Sequence, residues 1–268
     1  MSSPKYHRIR RSVCLFVALG TAVTLITACT GTASRQGALA ADQQILASCD
    51  PAAPPASLVE IDGTGSSASE AVVAERMAAI EQVVRRTAIC SGHLRVLVFS
   101  ASSAATTVLF DGALRMGGAT DNARLKRIPE AVAGITEKVR AGYGPAVAAL
   151  PKGGSDITAQ LRLAAEWIGQ LGGSYRLNLV VLTDGFQNIG VDLAARPLGT
   201  QEATALADQA VVPKLTGASV VVAGLGRIAE GAPSSVMVEG LVAYYERLCQ
   251  RADATTCSAV TDYTAEGR

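Results

Sequence analysis

Aromatic residues are scarce in this 268-residue chain: one Trp, six Tyr and four Phe amount to 4% of it. Histidine is scarcer, with only His7 and His93. There is no stripe of Lys and Arg interleaved with aromatics, so both features that mark a nucleic-acid partner are missing. No Cys-x-x-Cys pair occurs, and with so few histidines a zinc site lacks its ligands. No Gly-x-Ser-x-Gly elbow occurs either, and one histidine beyond the first 28 residues leaves a serine hydrolase without its usual base. Charged residues make up 18% of the chain, hydrophobic ones 49%, and no internal repeat is visible. What remains is a chain long enough for one α/β domain plus extra segments.

The extra segments lie at the amino end. Lys5, Arg8, Arg10 and Arg11 precede "SVCLFVALGTAVTLITA", an apolar run without a charge. A basic start, an apolar stretch and small residues after it make a secretory signal. "ITAC", residues 26–29, resembles the lipobox of bacterial lipoproteins. That resemblance implies cleavage before Cys29, acylation (palmitate among the chains) of its sulfur, and display on the extracytoplasmic face of a cell membrane. An uncleaved membrane helix is the alternative, since the run is just long enough to span. Removing residues 1–28 takes four basic and no acidic residues, turning the chain's +1 into about −3. Residues 29–56, rich in Ala, Ser, Thr, Gly and Pro, then suit a flexible tether, with the domain over 57–268.

Within the domain, apolar β-branched runs alternate with helical patterns. "SLVEID", "LRVLVFS", "TTVLFDG", "LNLVVLTDG", "ASVVVAGLG" and "CSAVTDYT" suit strands. Val73, Met77, Ile80 and Val84 share one face of a helix. Further helices are expected over about 129–150, broken by Gly142, Gly144 and Pro145, then over 153–173, 200–215 and 234–250. The alternation predicts a doubly wound, mostly parallel sheet with helices on both faces. Beyond Cys14 and Cys29, four cysteines remain, and an even number in an exported chain favours two disulfides. Three connectivities are possible. Cys49 and Cys90 each precede a strand at one edge of the sheet, and Cys249 and Cys257 flank a short loop, which favours Cys49–Cys90 and Cys249–Cys257.

In such a sheet, ligands gather beyond the carboxyl ends of the strands. Asp62 and Asp184 each follow a strand. Asp62, Thr64 and Ser66 are spaced by two, so an extended loop turns them to one side, and Gly63 and Gly65 let the backbone bend. Ser155 opens a helix after Gly153 and Gly154. Asp62, Thr64, Ser66, Ser155 and Asp184 are all hard oxygen donors, a set suited to Mg²⁺ (or Mn²⁺ or Ca²⁺).

These residues resemble the von Willebrand factor A (vWA) domain and its metal-ion-dependent adhesion site. The family pattern is Asp-x-Ser-x-Ser after the first strand, a Thr at a Gly-rich helix start, and an Asp after a later strand, often in Thr-Asp-Gly. Here they stand as "DGTGS", "GGSDI" and "LTDGFQN", within a resemblance covering roughly residues 57–264. Thr64 replaces Ser and Ser155 replaces Thr, so both hydroxyls are kept. The resemblance implies a Rossmann-like fold and a non-enzymatic domain that binds a partner protein. A carboxylate of that partner would complete the coordination of the ion.

Other readings use the same stretches. Separately, "GTGSS" and Ser155 could cap helices, and "TDG" could be a turn. "VEIDGTG" is similar to the haloacid-dehalogenase-like phosphohydrolase loop, with Glu60 where that loop has its nucleophilic Asp. "VVVAGLGRIAEG" mimics a dinucleotide fingerprint, but Pro233 interrupts the helix it needs, leaving a turn out of the sheet. A metal-independent envelope scaffold on the same fold is the remaining alternative. His93, before a strand, is expected to be a solvated loop residue.

Overall fold

Six short strands order themselves as β3-β2-β1-β4-β5-β6 in one sheet of the computed structural model, which describes residues 30–65, 69–102, 105–229 and 231–263. The side chains of residues 30–36 are outside that description, as are the signal segment, Cys29 and Ser66. The chain divides into two units, Met1–Gly37 and Ala38–Arg268, and the second holds the whole sheet.

The strands are β1 (Pro55–Asp62), β2 (His93–Phe99), β3 (Thr106–Ala113), β4 (Arg176–Leu182), β5 (Ser219–Ala223) and β6 (Thr256–Val260). The helices are α1 (Thr30–Ala47), α2 (Glu70–Ile89), α3 (Asp121–Leu125), α4 (Ile128–Ala149), α5 (Thr158–Leu171), α6 (Thr200–Gln209) and α7 (Ser235–Arg251). Every pairing is parallel except β2 with β3. This is the doubly wound, mostly parallel α/β architecture expected from the alternation of elements.

Two apolar clusters cover the two faces of the sheet. Val59, Ile61, Val180 and Leu182 pack with residues of α2 and α4 on one face. Leu58, Leu179 and Val181 pack with residues of α5, α6 and α7 on the other. The strands in the middle are buried on both faces, which is why they read as unbroken apolar runs. α2 starts where Ser69 accepts a bond from the Val72 N–H at 3.3 Å, so its cap is not supplied by Thr64.

Three segments depart from expectation. Where a flexible tether was expected over 29–56, Thr30–Ala47 is a helix, since Ala, Gln and Leu are good helix formers. From Ala38 onward this segment is tied down: Asp42, 3% exposed, pairs with Arg85 at 2.8 Å, and Gln43 donates to Asn122. α4 runs unbroken through Gly142, Gly144 and Pro145, because Val132, Ile135, Val139 and Ala146 give it a continuous buried face. α6, by contrast, stops at Gln209, leaving Val211 94% exposed two residues before Pro213. The two disulfides are Cys49–Cys90 and Cys249–Cys257, the pairing favoured by the strand starts.

Candidate functional site

β1 carries Asp62 to the carboxyl edge of the sheet, where it pairs with Phe99 of β2 and sits one step beyond the Ile61–Leu182 pair. Its side chain is 0% exposed. Oδ1 accepts from the Thr64 N–H at 3.0 Å and the Thr64 hydroxyl at 2.7 Å. Oδ2 accepts from the Ser155 hydroxyl at 3.0 Å and the Thr183 hydroxyl at 2.7 Å. Three hydroxyls from three separated segments thus meet on one buried carboxylate. Gly63 allows the turn: a Cβ there would lie 2.7 Å from both Val98 Cγ1 and Leu150 Cδ1.

The segment carrying Ser155 is pinned from both sides. Its N–H donates to Asn188 Oδ1 at 2.9 Å, its carbonyl accepts from Asn188 at 3.2 Å, and the Asp156 N–H donates to Ser100 O at 3.2 Å. The helix that follows starts at Thr158, not at Ser155. Asp156 Oδ1 accepts from Ala159 N at 3.0 Å, and Gln187 Oε1 accepts from Thr158 N at 2.7 Å. Capping is therefore done by Asp156 and Gln187, and the Ser155 hydroxyl is directed to Asp62 instead.

Asp184 is buried at the same edge, directly after β4. Its Oδ1 accepts from Phe186 N at 3.0 Å, and Thr183 Oγ1 accepts from Gly185 N at 3.0 Å, so the Thr-Asp-Gly turn is closed by its own side chains. Tyr245 donates to Gly185 O at 2.9 Å. Burial, then the neighbouring Tyr244, Asp184 and Asp62, push the Tyr245 phenol well above its ordinary pKa and keep it a donor. On the other side of the sheet, Arg76 donates to the Asp62 carbonyl at 2.8 Å and lies over the Tyr263 ring at 5.4 Å.

Of the five residues singled out in the sequence, the structure gathers Asp62, Thr64 and Ser155 by direct contact and sets Asp184 at the same edge. Ser66 lies outside the described residues. Thr183, Asn188 and Arg76 were not singled out. Thr183 stands inside the quoted "LTDG", and its position beside an acid at a strand end was the available signal.

Glu60 answers the phosphohydrolase reading. It lies on the same face of β1 as Asp62 but one pleat deeper, 0% exposed, and neither carboxyl oxygen has a partner among the described residues. Burial pushes its pKa well up. A carboxyl sealed in the core is not placed to attack phosphorus. The Gly224 and Gly226 stretch is a turn out of the sheet: Gly224 has φ of +96°, and a Cβ there would lie 2.2 Å from the Tyr263 ring. His93 is not a solvated loop residue. It begins β2, contacts Asp111 Oδ1 at 2.6 Å, and lies edge-on to Trp167 at 6.0 Å.

The donor set fits a hard divalent cation. Each hydroxyl has one proton and two lone pairs, so a hydroxyl that gives its proton to Asp62 still has oxygen density for a cation. Ser100, at the carboxyl end of β2, is buried with no partner for Oγ among the described residues. A buried oxygen left so costs about 1–3 kcal/mol. Among the described residues no cluster of three or more His, Cys, Asp or Glu converges, so the set is one of hydroxyls with two acids.

The chain matches no described protein family and no curated protein. Among solved structures it is similar to the conserved hypothetical protein BatB of Bacteroides thetaiotaomicron, at 12% identity and a TM-score of 0.40 over 78% of this chain and 90% of that one. It is also similar to the pilus adhesin SpaC of Lactobacillus rhamnosus GG, at 14% identity and 0.45, over 81% of this chain and 29% of the adhesin. Proximal thread matrix protein 1 of the mussel byssus follows at 14% and 0.38, over 81% and 45%. At these scores the similarities concern chain trace and say nothing about what this chain binds.

Proposed function

We propose that this chain is a non-enzymatic protein-binding domain, held on the extracytoplasmic face of a membrane through Cys29, that recognises an acidic side chain of a partner protein through a divalent cation. The observation that supports this best is the meeting of the Thr64 and Ser155 hydroxyls on the buried Asp62 carboxylate across 93 residues of sequence. Asp62, Thr64, Ser66, Ser155 and Asp184 would hold the ion. The bound cation would supply a positive centre for the partner's carboxylate. The protein's own part is to aim the hydroxyls, keep Asp62 dry, and fix Ser155 through Asn188.

Thermal unfolding with Mg²⁺ or Mn²⁺ tests this. Binding to the native state alone stabilises by about 2.7 kcal/mol at a hundredfold excess over Kd. Wild type is expected to gain stability with metal and to lose the gain with chelator. Ser155→Ala and Asp184→Ala are expected to respond weakly or not at all. A wild type indifferent to both metals, together with an Asp62→Ala variant of unchanged stability, would leave the metal-independent scaffold instead.

A further inference from the structure

A buried guanidinium stands behind Asp62, on the opposite face of the sheet. Arg76 lies on α2, 0% exposed, and donates to the Asp62 carbonyl at 2.8 Å. Its guanidinium also lies over the Tyr263 ring, 5.4 Å from the centroid. Fixing a carbonyl does not call for a charge, since a neutral amide N–H would do it. Burying a charged group costs far more than burying an amide, so the charge itself needs an explanation. Burial works against it, yet the pull of Tyr263, Tyr143 and Asp62 outweighs burial and holds the guanidinium's pKa above its ordinary value.

The groups on the far side of that carbonyl are of opposite sign. Asp62 and Asp184 are buried at this edge, 0% and 1% exposed. A guanidinium bonded to the Asp62 main chain lies within roughly 8 Å of the Asp62 carboxylate, a range over which buried charges are little screened. Among these three buried groups, two acids against one guanidinium leave a single negative charge. A divalent ion on the hydroxyls would turn that into a single positive one. Without Arg76 the same ion would leave none. The nearby pair of Arg227 and Glu75 is balanced within itself and alters neither total.

We infer, resting on the cation reading of the Asp62 edge, that Arg76 tunes that site from behind. Its charge lowers the affinity for the bare ion and leaves the loaded site positive, so the ion is held firmly only together with a carboxylate. Removing a positive charge from beside an anionic site favours a cation, whichever other groups the guanidinium bonds. A clamp that merely positions Asp62 predicts the opposite sign, since loosening Asp62 would weaken the site.

Mn²⁺ titration of the whole chain, read from the EPR signal of the free ion, decides between them. Wild type is expected to bind Mn²⁺ weakly in chloride and several-fold more tightly when acetate replaces chloride at equal ionic strength. Arg76→Gln keeps a donor for the carbonyl and drops the charge. It should bind Mn²⁺ roughly tenfold more tightly in chloride and gain little from acetate. Arg76→Lys keeps the charge and should follow wild type in both. Melting in chelator tells a lost fold from a changed site, and if Arg76→Gln does not fold, the acetate response of wild type still decides. Equal or weaker Mn²⁺ binding by folded Arg76→Gln, or no acetate effect in wild type, would overturn the role of Arg76 and leave the cation site standing. No Mn²⁺ binding by wild type would remove the cation reading itself, and this role with it.

Discussion

Two carboxyls on β1 sit two residues apart on one face of the sheet. Asp62 is met by four donors, and Glu60, one pleat deeper, by none among the described residues. The consequence for Glu60 can be measured. Its pKa is raised by burial, so below its unfolded value near about 4.3 both states are protonated and it contributes no pH dependence. Above that value the unfolded chain releases the proton while the fold keeps it, and stability falls by about 1.4 kcal/mol per pH unit until the raised pKa is passed. Glu60→Met should therefore match or exceed wild type, with an advantage in denaturant titrations that grows from pH 4 towards pH 7. An advantage that stays flat across that range would sink the assignment. The hydroxyls of Thr64 and Ser155 were legible because their spacing and glycine neighbours are local signals. Thr183 was not, because which side chain at a strand end turns towards a neighbour depends on cross-strand register, which the local pattern leaves open.

Among the elements, strands were easier to place than helix ends. The buried strands announce themselves as apolar runs, whereas α4 ignores Pro145 and two glycines for the sake of its packed face. The segment before β1 was misjudged for a related reason: Ala-rich composition suits a spacer and a helix equally, and only the Asp42–Arg85 pair and Cys49 decide between them. The disulfides divide their work unequally. Cys49–Cys90 closes 41 residues and Cys249–Cys257 closes 8. Loop-closure entropy gives about 4 kcal/mol for the first and about 2.5 kcal/mol for the second. Replacing both cysteines of the first pair by Ala should lower the melting temperature more than replacing the second pair. The reverse order would show that strain or residual unfolded structure outweighs chain entropy.

At the scale of the molecule, β1 and β4 are sheltered by strands on both sides, while β3 and β6 form the edges. β3 has only half-buried and exposed positions, and β6 has one buried residue, Ala259. Amide hydrogen exchange should therefore run fastest in β3 and β6 and slowest in β1 and β4, whose amides need global opening. Equal protection of β6 and β4 would contradict this. Both covalent bridges sit at the amino-terminal edge of the sheet, whereas the loops around Asp62 are held by hydrogen bonds. A reductant would thus slacken the floor of the domain and leave the roof gripping its carboxylate, while sequence drift in the roof loops meets no cross-link to oppose it.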